Sequence, residues 1–147
     1  MPFLFLLTLV VTSTFSYGQD KEFYQLKTYT LKNGDQEKMV DAYLENAYIP
    51  ALKRMGIENV GVFKVRANNF TLSDKIYVLI PFKSLTAFEQ LESKLAADKT
   101  HLAAGADYIN ATHTNTPYER ISSVLLRAFP DMPKMKPTDV EGSRADR

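Results

Sequence analysis

Residues 48–63 are Tyr-Ile-Pro-Ala-Leu-Lys-Arg-Met-Gly-Ile-Glu-Asn-Val-Gly-Val-Phe. They read as the end of an amphipathic helix, a glycine stop, a short link and the start of a strand. Pro50 has no amide hydrogen to donate and its ring crowds the preceding turn, so a helix through it kinks or restarts. Restarting suits a residue that is comfortable in a first helical turn. Lys53 and Arg54 then fall in the last turn, where positive charge meets the negative end of the helix dipole. Gly56 stands where a left-handed cap residue is expected. Val60, Val62 and Phe63 are strand formers. Gly61 inside that run marks a bulge or a close backbone approach, either by a ligand or by a packed helix.

Upstream of this joint, Met39, Val40, Tyr43, Leu44, Ala47, Tyr48, Ala51, Leu52 and Met55 recur at i, i+3, i+4 spacing. Residues 36–55 are therefore expected to be helical with one buried face. Tyr43, Tyr48 and Met55 read as core rather than a cofactor box, because such stripes are how ordinary helices bury a face. Asn33-Gly34-Asp35 reads as a turn, with Asp35 placed to cap the helix. Before it, Tyr24 to Leu31 is strand-like. Alternation puts Tyr24, Leu26, Thr28 and Thr30 on one side and Gln25, Lys27 and Tyr29 on the other.

Downstream, residues 59–66 make a second strand and residues 75–82 a third. In the third, Ile76, Val78, Ile80 and Phe82 share a face. Tyr77 and Leu79 make the other face apolar as well, which argues burial on both sides. Pro81 is expected to end regular pairing. Thr86-Ala87-Phe88-Glu89 reads as a capping box, opening a helix that buries Phe88, Leu91 and Leu95. A further helix is expected from Thr100 to about Ala111, and residues 119–129 make a last strand. The order β-α-β-β-α-β is the split βαβ, ferredoxin-like arrangement. It gives an α+β fold: a four-stranded antiparallel sheet with helices on one face. The other face needs a cover, because it is too apolar for water.

The joint also carries a resemblance. Pro50-x-Leu52, then Gly56, then Val60-Gly61-Val62-Phe63 resembles the NIPSNAP family of the dimeric α/β-barrel superfamily. Phe23-Tyr24-Gln25-Leu26-Lys27-Thr28-Tyr29-Thr30-Leu31-Lys32 is similar to that family's first strand. The likeness covers about residues 22–129. It implies that the bare sheet face is covered by pairing into a dimeric α/β barrel. The partner is either a second copy, in a homodimer, or a tandem second domain.

Length and composition agree with this. At 147 residues a single domain is expected. A formal net charge of +1 gives no reason to expect nucleic acid or an anionic membrane surface as partner. The absence of cysteine excludes disulfides, thiolate metal sites and a cysteine nucleophile. Residues 3–15 form an apolar run of signal-peptide length, too short to span a membrane comfortably. Ser16-Tyr17-Gly18 supplies small residues at the cleavage positions, although no Lys or Arg precedes the run. Residues 1–18 are thus expected to be a signal peptide, and the mature protein to be periplasmic or extracellular and off the membrane. Residues 19–129 form the domain. Residues 130–147, punctuated by Pro130, Pro133 and Pro137, read as a linker or disordered tail.

Chemistry is thinly signalled. His101 and His113 are the only histidines and are too far apart for an i, i+4 metal pair, so no metal site is expected. Some haem-binding and cofactor-free oxygenase relatives of the superfamily place a functional histidine in a region comparable to His101. The plainer reading is a solvent-facing histidine after the wet turn Asp98-Lys99-Thr100. The chain has no tryptophan, and so lacks an aromatic partner those relatives use. Lys27, Tyr29, Lys64 and Arg66 could converge on the non-helical sheet face. With Tyr48 and Phe63, the residues Lys27, Tyr29 and Arg66 are the candidate lining for a small apolar or aromatic ligand; interstrand ion pairs are the alternative. The carboxylates are scattered, with no pair suited to acid–base work. The expected function is an exported small-molecule-binding or assembly module without a cofactor. The alternative is a cofactor-independent monooxygenase or a haem-handling enzyme.

Overall fold

The computed structural model describes residues 21–65 and 74–135. Strand β1 (Phe23–Thr30) is followed by helix α1 (Gly34–Tyr43), a π turn (Leu44–Tyr48) and α2 (Ile49–Arg54). Then come β2 (Gly61–Lys64) and β3 (Lys75–Phe82). A chain of short helices follows: α3 (Leu85–Glu89), α4 (Leu91–Ala97), α5 (Lys99–Ala104) and α6 (Ala106–Ile109). Strand β4 (Arg120–Arg127) closes the order. The sheet runs β2-β3-β1-β4 with every pairing antiparallel. This is the expected α+β, ferredoxin-like arrangement.

Helix α2 opens at Ile49 with Pro50 in its first turn, so the helix restarts there as the sequence reading expects. The Ile49 amide donates to the Leu44 carbonyl, five residues back. This wider turn absorbs the bond that Pro50 cannot make and relieves its ring from the carbonyl four residues earlier. Residues five apart stack in a π turn, so the rings of Tyr43 and Tyr48 meet, centroids 5.5 Å apart. The helix then stops as the sequence predicts. Gly56 has φ +76°, its amide donates to the Lys53 carbonyl, and the Ile57 amide donates to the Leu52 carbonyl. That pair of bonds is a Schellman motif, and Ile57 packs on the core beside Leu52.

Three local expectations are corrected. Asn33, not Asp35, caps α1: its side chain accepts from the Gln36 amide at 3.0 Å. Ser84, not Thr86, caps α3 by accepting from the Ala87 amide. Both true caps are the last extended residues before the helix, which is the backbone an N-cap requires. Pro81 does not end pairing. It lies within β3, opposite Tyr24 of β1. It is tolerated because β2 stops opposite Leu79 and leaves β3 an edge there.

The core lies between the sheet and the helices. Ile76, Val78 and Ile80 of β3 are fully buried against Val40, Tyr48, Ala51 and Leu52 of the α1–α2 rod, with Leu91 and Leu95 of α4. Gln36 fastens one corner. Its carbonyl oxygen accepts from the Lys32 amide, and its Nε2 donates to the Thr116 carbonyl at 2.9 Å, joining the first turn of α1 to the approach of β4. At the opposite corner the proline-rich segment starts with an ordered return. Phe129 bridges to Met132, the Glu22 amide donates to the Pro133 carbonyl, and the Met135 amide donates to Tyr24 Oη and Glu22 Oε2. The expected signal peptide, and residues 136–147 of the expected tail, lie outside the described residues.

The two glycines at the ends of the α1–α2 rod should respond oppositely to Ala. Gly56→Ala places a Cβ in the left-handed region and should cost about 1–2 kcal/mol. Gly34→Ala, at a helical position with nothing within 4 Å of its Cβ, should stabilise by about 0.5 kcal/mol. Urea unfolding of both variants measures this. Equal effects would show that the Gly56 cap is not what ends the helix.

Candidate functional site

Antiparallel partners directly opposite each other share a face of the sheet. The register therefore sorts every strand residue. Lys27 lies opposite Val78 and Tyr29 opposite Ile76. Val78 and Ile76 are both beneath the helices, so Lys27 and Tyr29 are there too. Lys64, opposite Ile76, joins them and pairs with Glu37 and Asp41 of α1. Tyr48, on the helical rod, is buried in the same layer. The expected convergence of Lys27, Tyr29 and Lys64 on the non-helical face is thus corrected: they lie on the helical side. Of the expected ligand-lining residues, Phe63 alone is seen on the open face, where it is 56% exposed. Arg66 lies outside the described residues.

Beneath the helices most of the polar side chains satisfy one another. Lys27 Nζ donates to Tyr48 Oη at 3.2 Å, sits 4.8 Å from the centre of that ring and lies 3.6 Å from Glu92. Tyr29 and Tyr108 share a hydrogen bond. Tyr108 stacks on Tyr43 with centroids 3.8 Å apart.

His101 is buried, not solvent-facing. Asp98 caps α5, accepting from the Thr100 and His101 amides, and its carboxylate also holds Arg54. That cap turns the His101 ring inward. Nδ1 lies 3.1 Å from the Leu95 carbonyl, which can only accept, so Nδ1 carries the proton. Nε2, 3.0 Å from Tyr43 Oη, then accepts from that hydroxyl in the neutral ring. Both nitrogens are engaged by the protein. Among the described residues, no three histidine, cysteine or carboxylate side chains gather to hold a metal.

Burial pushes the Tyr29 hydroxyl up to about 12 and raises Tyr43, Tyr48 and Tyr108 as well. These phenols stay protonated at neutral pH and are held away from the role of base.

The open face is the more suggestive surface. Four rows cross it, read from the register. The first is Lys75, Thr30 and Arg120. The second is Tyr77, Thr28 and Ser122, extended by Phe63 of β2. The third is Leu79, Leu26 and Val124, extended by Gly61. The fourth is Pro81, Tyr24 and Leu126. No helix covers them: Val124 and Leu126 are 48% and 43% exposed. Gly61 is explained here. A Cβ on it would lie 2.6 Å from the Phe63 ring, so the glycine admits a side chain from its own strand rather than a helix. A cleft of about 510 Å³ among the described residues runs between the α2 stop and the end of β3, lined by Met55, Gly56, Asn59, Phe82 and Met135.

Comparison with known proteins follows the fold. A family model described as NIPSNAP matches residues 24–131. No curated protein matches the chain. An uncharacterised NIPSNAP-like domain protein from Burkholderia xenovorans is similar at 13% identity and TM-score 0.58, over 80% of this chain and 94% of that one. A NIPSNAP family protein from Agrobacterium tumefaciens is similar at 15% identity and TM-score 0.55, over 77% and 90%. A dimeric ferredoxin-like protein from an uncultured marine organism is similar at 9% identity and TM-score 0.51, over 74% and 89%.

The buried phenols set the alkaline limit of stability. A raised folded-state value leaves stability independent of this group below the unfolded value near 10 and lowers it as pH rises from there toward 12. The slope should reach about 1.4 kcal/mol per pH unit for each such tyrosine. Tyr29→Phe should remove one proton's worth of that slope, measured by urea unfolding between neutral and alkaline pH. An unchanged slope would mean that Tyr29 ionises freely in the folded protein.

Proposed function

The chain belongs to the NIPSNAP family, and from that footing we propose that it is an exported module that binds a small molecule or serves assembly. In this reading the uncovered sheet face is completed by a second copy, and no prosthetic group takes part. One observation carries the reading. Every described helix packs on one side of the sheet, while Leu26, Leu79, Val124 and Leu126 form contiguous apolar rows on the other. A surface of that kind on a soluble protein marks an interaction site. The marine relative is itself described as dimeric. Two such faces brought together would enclose a space between them, and a tandem domain in a longer chain would serve equally.

Binding rather than catalysis is favoured by His101. The residue that a haem-handling or oxygenase role would use has both ring nitrogens occupied by Leu95 and Tyr43. Export is favoured by the apolar run and small-residue step of residues 3–18.

Light scattering of the protein lacking residues 1–18 should give twice the chain mass. Leu79→Arg, a change on the open face, should yield a folded monomer with little loss in thermal stability. A well-folded wild-type monomer at micromolar concentration would sink the pairing. Haem titration should leave the Soret band where free haem has it. A shifted band that is lost in His101→Ala would overturn the cofactor-free reading. After export, mass spectrometry should find a new N-terminus near Gln19; full-length protein retained in the cytosol would refute the proposed leader.

A further inference from the structure

The open face is not uniformly greasy. Its first row holds Arg120 and Lys75 on either side of Thr30, its second is rich in hydroxyls, and its third and fourth are apolar and aromatic. No carboxylate occurs in any of the four rows. The acid nearest the far end, Glu22, is occupied by the Tyr24 hydroxyl and the Met135 amide. Polarity therefore falls along one direction of the sheet, from a cationic end to an apolar end. Thr30 and Tyr24, which mark the ends of that gradient on β1, are about 20 Å apart at the rise of an extended chain.

Building on the binding reading above, we infer that this face takes an amphipathic carboxylate. The head group meets Arg120 and Thr30, and the apolar body lies along Tyr77, Leu26 and Leu79. The charge match is direct. A guanidinium offers two parallel N–H donors to the two oxygens of a carboxylate, and a neighbouring hydroxyl can donate a third bond. The body of the ligand would replace water over side chains that the helices leave bare, and a second copy laid over the face would close it from solvent. A wholly apolar ligand would leave Arg120 desolvated without a counter-charge. A small hydrophilic anion would leave the apolar rows unused. Only a molecule with both parts fits the gradient.

Arg127 supplies an internal control. It is the same residue type on the same strand, but the register puts it opposite Phe23 on the helical side, where its guanidinium lies 5.7 Å from that ring.

Calorimetric titration of the dimer with decanoate, decanol and acetate tests the inference. Decanoate should bind about tenfold or more tighter than decanol, as expected for a charge-assisted contact, and acetate should not bind. Arg120→Gln should abolish the preference for decanoate over decanol. Arg127→Gln should leave that preference intact. Light scattering on each variant checks that pairing persists. Equal affinity for acid and alcohol, or equal losses in the two arginine variants, would overturn the carboxylate assignment while leaving a binding module standing. If neither decanoate nor decanol binds, the small-molecule reading falls with it.

Discussion

The antiparallel register between β1 and β3 is the constraint from which the rest of this molecule follows. It sets Tyr29 against Ile76 and Lys27 against Val78. Because partners share a face and the β3 residues are wholly buried, each alternate residue of β1 is committed to the helical layer and each intervening one to the open surface. A slip by one residue would exchange the two sets. It would drive Thr28 and Leu26 under the helices and expose the Lys27–Tyr48 contact and the Tyr29–Tyr108 bond. The polar interior and the graded exterior are two consequences of one alignment.

Polar groups inside the helical layer survive because nearly all are answered. Lys27 has a hydroxyl, an aromatic face and a carboxylate. His101 has a carbonyl and a phenol. Gln25 is the exception. Its Nε2 donates to Ser123 Oγ, but its Oε1 has no hydrogen-bond partner among the described residues. Unanswered groups of this kind cost on the order of 1–3 kcal/mol. The layer thus achieves a specific arrangement at some expense of stability.

Much of the fold was legible in the sequence, because the signals were local. The Gly56 stop, the helix before it, the two faces of β3 and the order of elements all rest on spacing over a few residues. What failed was non-local or depended on one backbone angle. Placing Lys27 and Tyr29 beneath the helices required the alignment of β1 with β3, some 50 residues on in sequence, and placing Lys64 there required that of β2 with β3; alternation within one strand gives neither. The caps moved to Asn33 and Ser84 because the deciding property is an extended backbone at that residue. The π turn ahead of Pro50 left no local signal, because packing decides whether a widened turn is held. His101 looked wet because Asp98-Lys99-Thr100 is wet; the cap at Asp98 rotates the next residue inward. The open-face residues were within reach: once Tyr77 and Leu79 were placed away from the helices, the antiparallel pairing that puts Thr30 beside Lys75 and Arg120 was the missing step.

The knot at Glu22, Tyr24 and Met135 has a geometric consequence. It ties the entry of β1 and the segment after β4 to the same corner of the sheet. Anything attached upstream or downstream therefore departs from one point, at the opposite end of the sheet from Thr30.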